Sequence, residues 1–422
     1  MKTSLTIGRI ALCGVTAAVM AFACSSDNSK SNADGGTPDG GDMGTGGKTG
    51  TGGASTGGKA STGGASTGGK ASTGGATGTG GKVSSEAGIP DGGDGGAALS
   101  LCGGMTGDAQ VQCGEYIVKA LDACGDCHTP RLPTGAPDAT KILAGNPAFA
   151  DIAPTMDGVG NIPTPNLTTL KANGWTAQDI KDAILDGKRS AARGGGIFPI
   201  MPYTTLHNMA GADADAIAAY LLSLTAITND IPDREPLPGD PATSKLLPVA
   251  VVDAADIPNP VIDKTDPSYS DAMLGKYLAT GVGPCLDCHT SRKEGTPLPD
   301  SIVDMSKAFG GGEPFILGGP FGTVVSANIT TDPTDGLKNW TPGLIKTLLK
   351  TGKNIDGDYI CPPMPVGPMG AFGGLTDEHA LALGAYITHL PPVANGTDAG
   401  PFPLCLLPPA PAKTDAGPDS GP

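Results

Sequence analysis

Cys124-Gly125-Asp126-Cys127-His128 constrains this chain more than any other stretch. Two thiols three positions apart, with a histidine directly after them, form the pattern that attaches a c-type haem. The sulfurs become thioethers on neighbouring vinyl groups of one porphyrin edge, and the chain between them just spans that edge. The histidine then turns its imidazole to the iron. A second copy stands at Cys285-Leu286-Asp287-Cys288-His289. Paired thiols also make four-thiolate zinc sites and thioredoxin-like redox centres. Zinc pairs lie a few tens of residues apart, whereas well over a hundred separate these two. A thioredoxin pair needs a strand–helix setting that the flanking sequence lacks, and neither rival requires a histidine in both copies. The pattern therefore implies two covalently bound haem c groups on Cys124, Cys127, Cys285 and Cys288, with His128 and His289 on the irons.

The chain begins with Lys2 and Arg9 before an apolar run from Ile10 to Ala23, so residues 1–23 read as a signal peptide. Ala21-Phe22-Ala23 fits ordinary cleavage. Cys24 after small residues also resembles a bacterial lipoprotein signal, in which that cysteine is acylated, although Ala21 stands where such signals prefer Leu. No later stretch approaches twenty apolar residues, so membrane contact is expected only through an acylated Cys24. Residues 24–100 are Gly, Ser, Thr, Ala and Asp in a loose repeat without aromatic residues. Such a segment cannot bury a core and is expected to be disordered. As a Gly-rich coil it would reach roughly 45–50 Å, which suits a tether; a low-complexity tail with no length requirement is the other reading.

From Leu101 the composition turns globular and repeats. Gly114-Glu115-Tyr116 and Gly275-Lys276-Tyr277 each precede a haem cysteine by ten residues, counted from the glycine. Trp175-Thr176 and Trp340-Thr341 each lead to a Gly-Lys pair at the same spacing, and Ala219-Tyr220-Leu221 recurs as Ala385-Tyr386-Ile387. The order implies two copies of one domain, 101–228 and 266–411, joined by a Pro-rich connector, 229–265, and followed by a disordered tail, 412–422. Helices are expected at 111–123, 269–280, 214–224 and 376–390. Two more should follow Thr176 and Thr341 as N-caps. No strand pattern is convincing, so the expected class is all-α, about four helices per domain with long loops. Aromatic residues make up only 4% of the chain, too few to fill such cores. A haem would supply the missing apolar surface, and the haem-free domains should fold poorly.

Further order appears between these landmarks: Cys-x-x-Cys-His-Thr, Asn-(Leu/Ile)-Thr, Trp-Thr, Met-Pro and a final Ala-Tyr helix. Across 101–392 this order resembles the class I-type cytochrome c domains of bacterial multihaem subunits. Those subunits accept electrons from periplasmic alcohol, aldehyde or gluconate dehydrogenases. The resemblance implies a methionine as the second axial ligand, from a Pro-rich loop ahead of the last helix. Met201 of Phe198-Pro199-Ile200-Met201-Pro202 fits in the first domain. In the second, Met364 keeps the Met-Pro pair, but its loop is three residues longer and Met369 competes. The resemblance also implies that the carbonyls of Pro165 and Ala327 accept the other N–H of the proximal imidazoles. His207, His379 and His389 remain; His207 lies close enough to Met201 to compete for iron, and otherwise all three are exposed or structural.

In an oxidising compartment the leftover Cys102, Cys113, Cys361 and Cys405 suggest two disulfides. Local pairing, Cys102–Cys113 and Cys361–Cys405, is favoured among three possibilities. The sequons at Asn166 and Asn328 read as parts of the fold. A net charge of −15 argues against nucleic acid and for redox partners with basic or neutral docking faces. The resulting expectation is an exported dihaem cytochrome that carries single electrons between a periplasmic donor and a respiratory or extracellular acceptor. The rival is a dihaem peroxidase with one iron open to peroxide.

Overall fold

The computed structural model describes residues 99–132, 136–151, 161–190, 193, 195–233, 250–293, 303–318 and 322–395. The signal peptide, the tether up to residue 98, Cys24, Cys405 and the tail fall outside these residues.

Helix α1 (Gly107–Tyr116) starts four residues before its expected position and continues as a π-helical turn, Ile117–Leu121. Ile117, Val118 and Leu121 on that turn are fully buried. A disulfide between Cys102 and Cys113 ties the chain entry to α1. It closes a loop of 11 residues, worth roughly 3 kcal/mol of chain entropy. Ala123, at φ 53°, breaks the helix before α2 (Cys124–His128), the first haem motif. Strand β1 (Asn146–Asp151) then pairs antiparallel with β2 (Asn161–Thr164). Thr176 and Asp179 form a reciprocal capping box at the start of α3 (Ala177–Asp186), which Gly187 ends at φ 61°. A short α4 (Tyr203–Leu206) precedes α5 (Gly211–Ser223), the last helix of the first half.

The second half repeats this plan. Helix α6 (Tyr269–Thr280) leads to α7 (Cys285–Cys288), the second haem motif. Strands β3 (Pro314–Gly318) and β4 (Gly322–Val325) form another antiparallel pair. Thr341 caps α8 (Pro342–Thr351), with proline at its start and Gly352 at φ 73° at its end, and Thr376 caps α9 (Asp377–Ile387).

The first helix of each half crosses the last at a glycine. A methyl on Gly114 would stand 1.9 Å from the carbonyl oxygen of Ala216 on α5. One on Gly275 would stand 1.9 Å from that of Ala382 on α9. The repeated Gly-x-Tyr is thus a backbone-to-backbone helix contact that tolerates no side chain.

One expectation requires correction. The fold is mostly helical rather than all-α, because each half contains a two-stranded ribbon. These strands are short, carry Pro or Gly, and shift register within the pairing, so they show no two-residue alternation in sequence. Side chains fix the first ribbon instead: the Thr164 hydroxyl accepts from Asn146 N at 3.0 Å and donates to the Cys127 carbonyl at 2.8 Å. The connector, expected to be extended and semi-rigid, carries packing contacts where it is described. Asn229 donates to the carbonyls of Ala144 and Gly145, Val252 and Ile257 are buried, and Tyr386 donates to the Pro258 carbonyl at 2.8 Å. Apolar residues between its prolines anchor it.

Candidate haem sites

Each haem motif sits on a single helical turn that places its thiols and histidine together. His128 and His289 are 9% and 8% exposed. Their Nδ1 atoms donate to the carbonyls of Pro165 at 2.9 Å and Ala327 at 2.8 Å, the two carbonyls expected from the sequence. These bonds fix the tautomer, so that Nε2 carries the lone pair, and Nε2 has no hydrogen-bond partner among the described residues. Burial holds both imidazoles below their ordinary pKa, so they stay neutral and able to ligate metal.

The surrounding scaffold recurs bond for bond. The carbonyls of His128 and His289 accept from Gly145 N and Gly311 N, each at 2.8 Å. Thr129 and Thr290 accept from Leu143 N and Phe309 N, each at 3.1 Å. Leu143 and Phe309 share an unusual left-handed backbone, φ 60° and 61°. The two sequon asparagines belong to this frame. Asn166 and Asn328 donate to the carbonyls of Ile227 and Val393 and accept from Thr168 N and Thr330 N.

Cys124, Cys127, Cys285 and Cys288 are free of disulfides. Burial pushes all four thiols up, Cys127 and Cys285 to about 12. Among the described residues no three His, Cys, Asp or Glu side chains converge to hold a metal ion. The donor set suits a haem: two unpaired thiols and one oriented neutral imidazole per site, repeated in both halves. The middle carboxylates also match, since Asp126 and Asp287 each keep a buried oxygen without a hydrogen-bond partner. Burial raises both, and the charges of Arg131 and Arg292 oppose that rise.

The methionine loops can be compared directly. Met201 N donates to the Phe198 carbonyl and Tyr203 N to that of Met201, at 3.1 and 2.8 Å. Met364 N donates to the Cys361 carbonyl and Val366 N to that of Met364, at 3.3 and 2.9 Å. Both methionines are partly buried and pack on the core, whereas Met369 is 84% exposed. The three extra residues of the second loop lie after Met364, which is why sequence spacing to the last helix left the choice open.

The remaining histidines have protein partners. His207 bonds the Leu185 carbonyl at 2.9 Å, His389 that of Ala385 at 2.7 Å, and His379 the Tyr116 hydroxyl at 2.8 Å. Cys361 is disulfide-bonded, and its expected partner Cys405 lies outside the described residues. Sequence reasoning missed Arg292, which pairs with Asp287 at 3.6 Å and Glu313 at 3.2 Å beside the second motif. It also missed the reach of the Tyr116 and Tyr277 hydroxyls. The repeated tyrosines were visible, but nothing nearby in the chain named their partners.

No family model matches the chain. It is 29% identical over 310 residues to the cytochrome c subunit of the quinone alcohol dehydrogenase of Gluconacetobacter polyoxogenes, covering 70% of this chain and 61% of that protein. The gluconate 2-dehydrogenase cytochrome c subunit of Pantoea cypripedii is 28% identical over 294 residues, covering 67% and 58%. A dihaem cytochrome c of Cereibacter sphaeroides is 35% identical over 116 residues, 27% of this chain and 35% of that protein. The match thus spans about three fifths of the length of the dehydrogenase subunits. With the paired motifs and their oriented histidines, these similarities make the chain a homologue of the cytochrome c subunits of bacterial alcohol and gluconate dehydrogenases.

Proposed function

We propose that the chain is a dihaem c-type cytochrome of two tandem class I-type domains, passing single electrons from a dehydrogenase to a respiratory or extracellular acceptor. The observation that supports this best is the duplicated Cys-x-x-Cys-His turn whose imidazole Nδ1 is committed to a carbonyl in both halves. Covalently attached haem iron supplies reversible one-electron chemistry. The chain does the rest. Cys124 and Cys127 would hold one macrocycle, and Cys285 and Cys288 the other. His128 with Met201, and His289 with Met364, would ligate the irons, a donor set that favours electron transfer over peroxide chemistry. Acidic surface steers basic or neutral redox partners toward it. No helix among the described residues is long and apolar enough to cross a membrane; export through residues 1–23 and acylation of Cys24 would place the protein at a membrane surface.

The test is maturation of the full chain in a host with haem-ligation machinery, followed by a redox titration with optical and paramagnetic readout. Two haems per chain, both low-spin in both oxidation states, are expected. Folded, colourless protein or bound zinc would overturn the reading. Peroxide turnover by the pre-reduced protein would replace it with the peroxidase.

A further inference from the structure

Tyr116 and Tyr277 each lie two residues past the crossing glycine of their own half, yet both hydroxyls end in the other half. Tyr277 Oη accepts from Ala210 N, the residue before α5, at 3.0 Å, and donates to the Asp213 carboxylate. Asp213 is fully buried and also accepts from Ser100 Oγ, Leu101 N and Cys102 N. Tyr116 Oη accepts from Thr376 N, the residue before α9, at 3.2 Å, and bonds His379 Nδ1 at 2.8 Å. Its one proton is therefore free for the imidazole. Donor, hydroxyl and acceptor fall in the same order in both contacts. Ala210 and Thr376 occupy equivalent positions, as do Asp213 and His379. The two halves thus hold each other by a reciprocal pair of tyrosine clamps.

Beside these clamps, segments next to the two haem motifs meet. The π-helical turn before Cys124 packs against the Ala371–Gly374 turn of the second methionine loop. A methyl on Gly374 would stand 3.4 Å from Ala120 Cβ, and one on Gly283, two residues before Cys285, would stand 3.4 Å from the Leu121 carbonyl. Cys127 and Cys288 lie within electrostatic reach of one another, and Asp287 within reach of Cys127.

We infer that Tyr116 and Tyr277 are positioning residues for electron transfer inside the chain, docking the halves so that the two haem-attachment turns meet. This rests on the dihaem reading. With haem bound, one electron would pass from a ferrous to a ferric iron, oxidising the first and reducing the second with no bond made or broken. The tyrosines are not among the residues that would hold either haem; they set how the two haem-attachment turns are docked.

The experiment uses the full haem-loaded chain, half-reduced by a flash of a photoreductant, with the redistribution between haems followed optically. In the wild type the rate should be independent of protein concentration, as an intramolecular step requires. In the Tyr116→Phe/Tyr277→Phe double variant, haem content and low-spin spectra should be unchanged. The intramolecular rate should fall by about tenfold, because buried hydrogen bonds, one of them to a charged group, are lost from the docked state. If that variant does not mature with two haems, Gly374→Leu wedges the same interface without removing a hydrogen bond and should slow the rate likewise. A variant with two intact haems and an unchanged rate overturns the clamp and leaves the dihaem reading standing. Absence of haem from the wild type overturns both.

Discussion

Met364 and Met369 stand five residues apart in one loop, in different surroundings. Met364 repeats the turn of Met201 and packs on the core, while Met369 is 84% exposed. A thioether can hold iron only from within the fold, so the two substitutions should separate cleanly. Met364→Ala should abolish the thioether-to-iron absorption of one haem and lower its potential by on the order of a tenth of a volt, within the roughly 0.8 V that axial ligands span. Met369→Ala should change neither spectrum nor potential. The reverse result in a potentiometric titration would reassign the ligand.

At the scale of elements, the helices are held by features written locally. The Thr176–Asp179 box satisfies backbone donors at both ends of one turn, so Thr176→Ala should cost about 1 kcal/mol by thermal unfolding. The helix crossings are less forgiving. With a methyl 1.9 Å from a backbone carbonyl, Gly114→Ala or Gly275→Ala forces the helices apart and should cost about 3 kcal/mol or more. An unfolding midpoint within a degree of wild type would show that the crossing yields. These elements were legible in sequence because caps, terminal glycines and apolar spacing act within one or two turns. The carbonyls of Pro165 and Ala327 were legible for a different reason: the resemblance to cytochrome c domains implied them. The ribbons were not, since Thr164 and its contact with the Cys127 carbonyl, rather than alternation, hold the first of them. Nor was the packed connector, whose buried Val252 and Ile257 lie among residues that otherwise read as spacer.

At the scale of the whole molecule, the two clamps differ in one respect that sequence patterns could not disclose, because each joins residues far apart in the chain. One ends on a carboxylate and the other on an imidazole. Burial lowers the pKa of His379, while the neighbouring Glu378 carboxylate pulls weakly the other way. Tyr116 from α1 and the Thr376 amide complete its polar surroundings. A protonated ring offers only donors, so it can no longer accept the Tyr116 proton. Because the folded state binds this proton less readily than the unfolded chain, whose histidine titrates near 6.5, its contribution is fully present above that pH. It is then lost progressively as the pH falls toward the depressed native value. Wild-type stability should therefore drop between pH 7.5 and 5.5 relative to a His379→Gln variant, which keeps a side-chain acceptor but does not titrate. Paired denaturant titrations at the two pH values measure the difference. Equal slopes for the two proteins would show that the imidazole titrates alike in the folded and unfolded chains, and the Tyr116 clamp would then be as indifferent to mild acid as its partner.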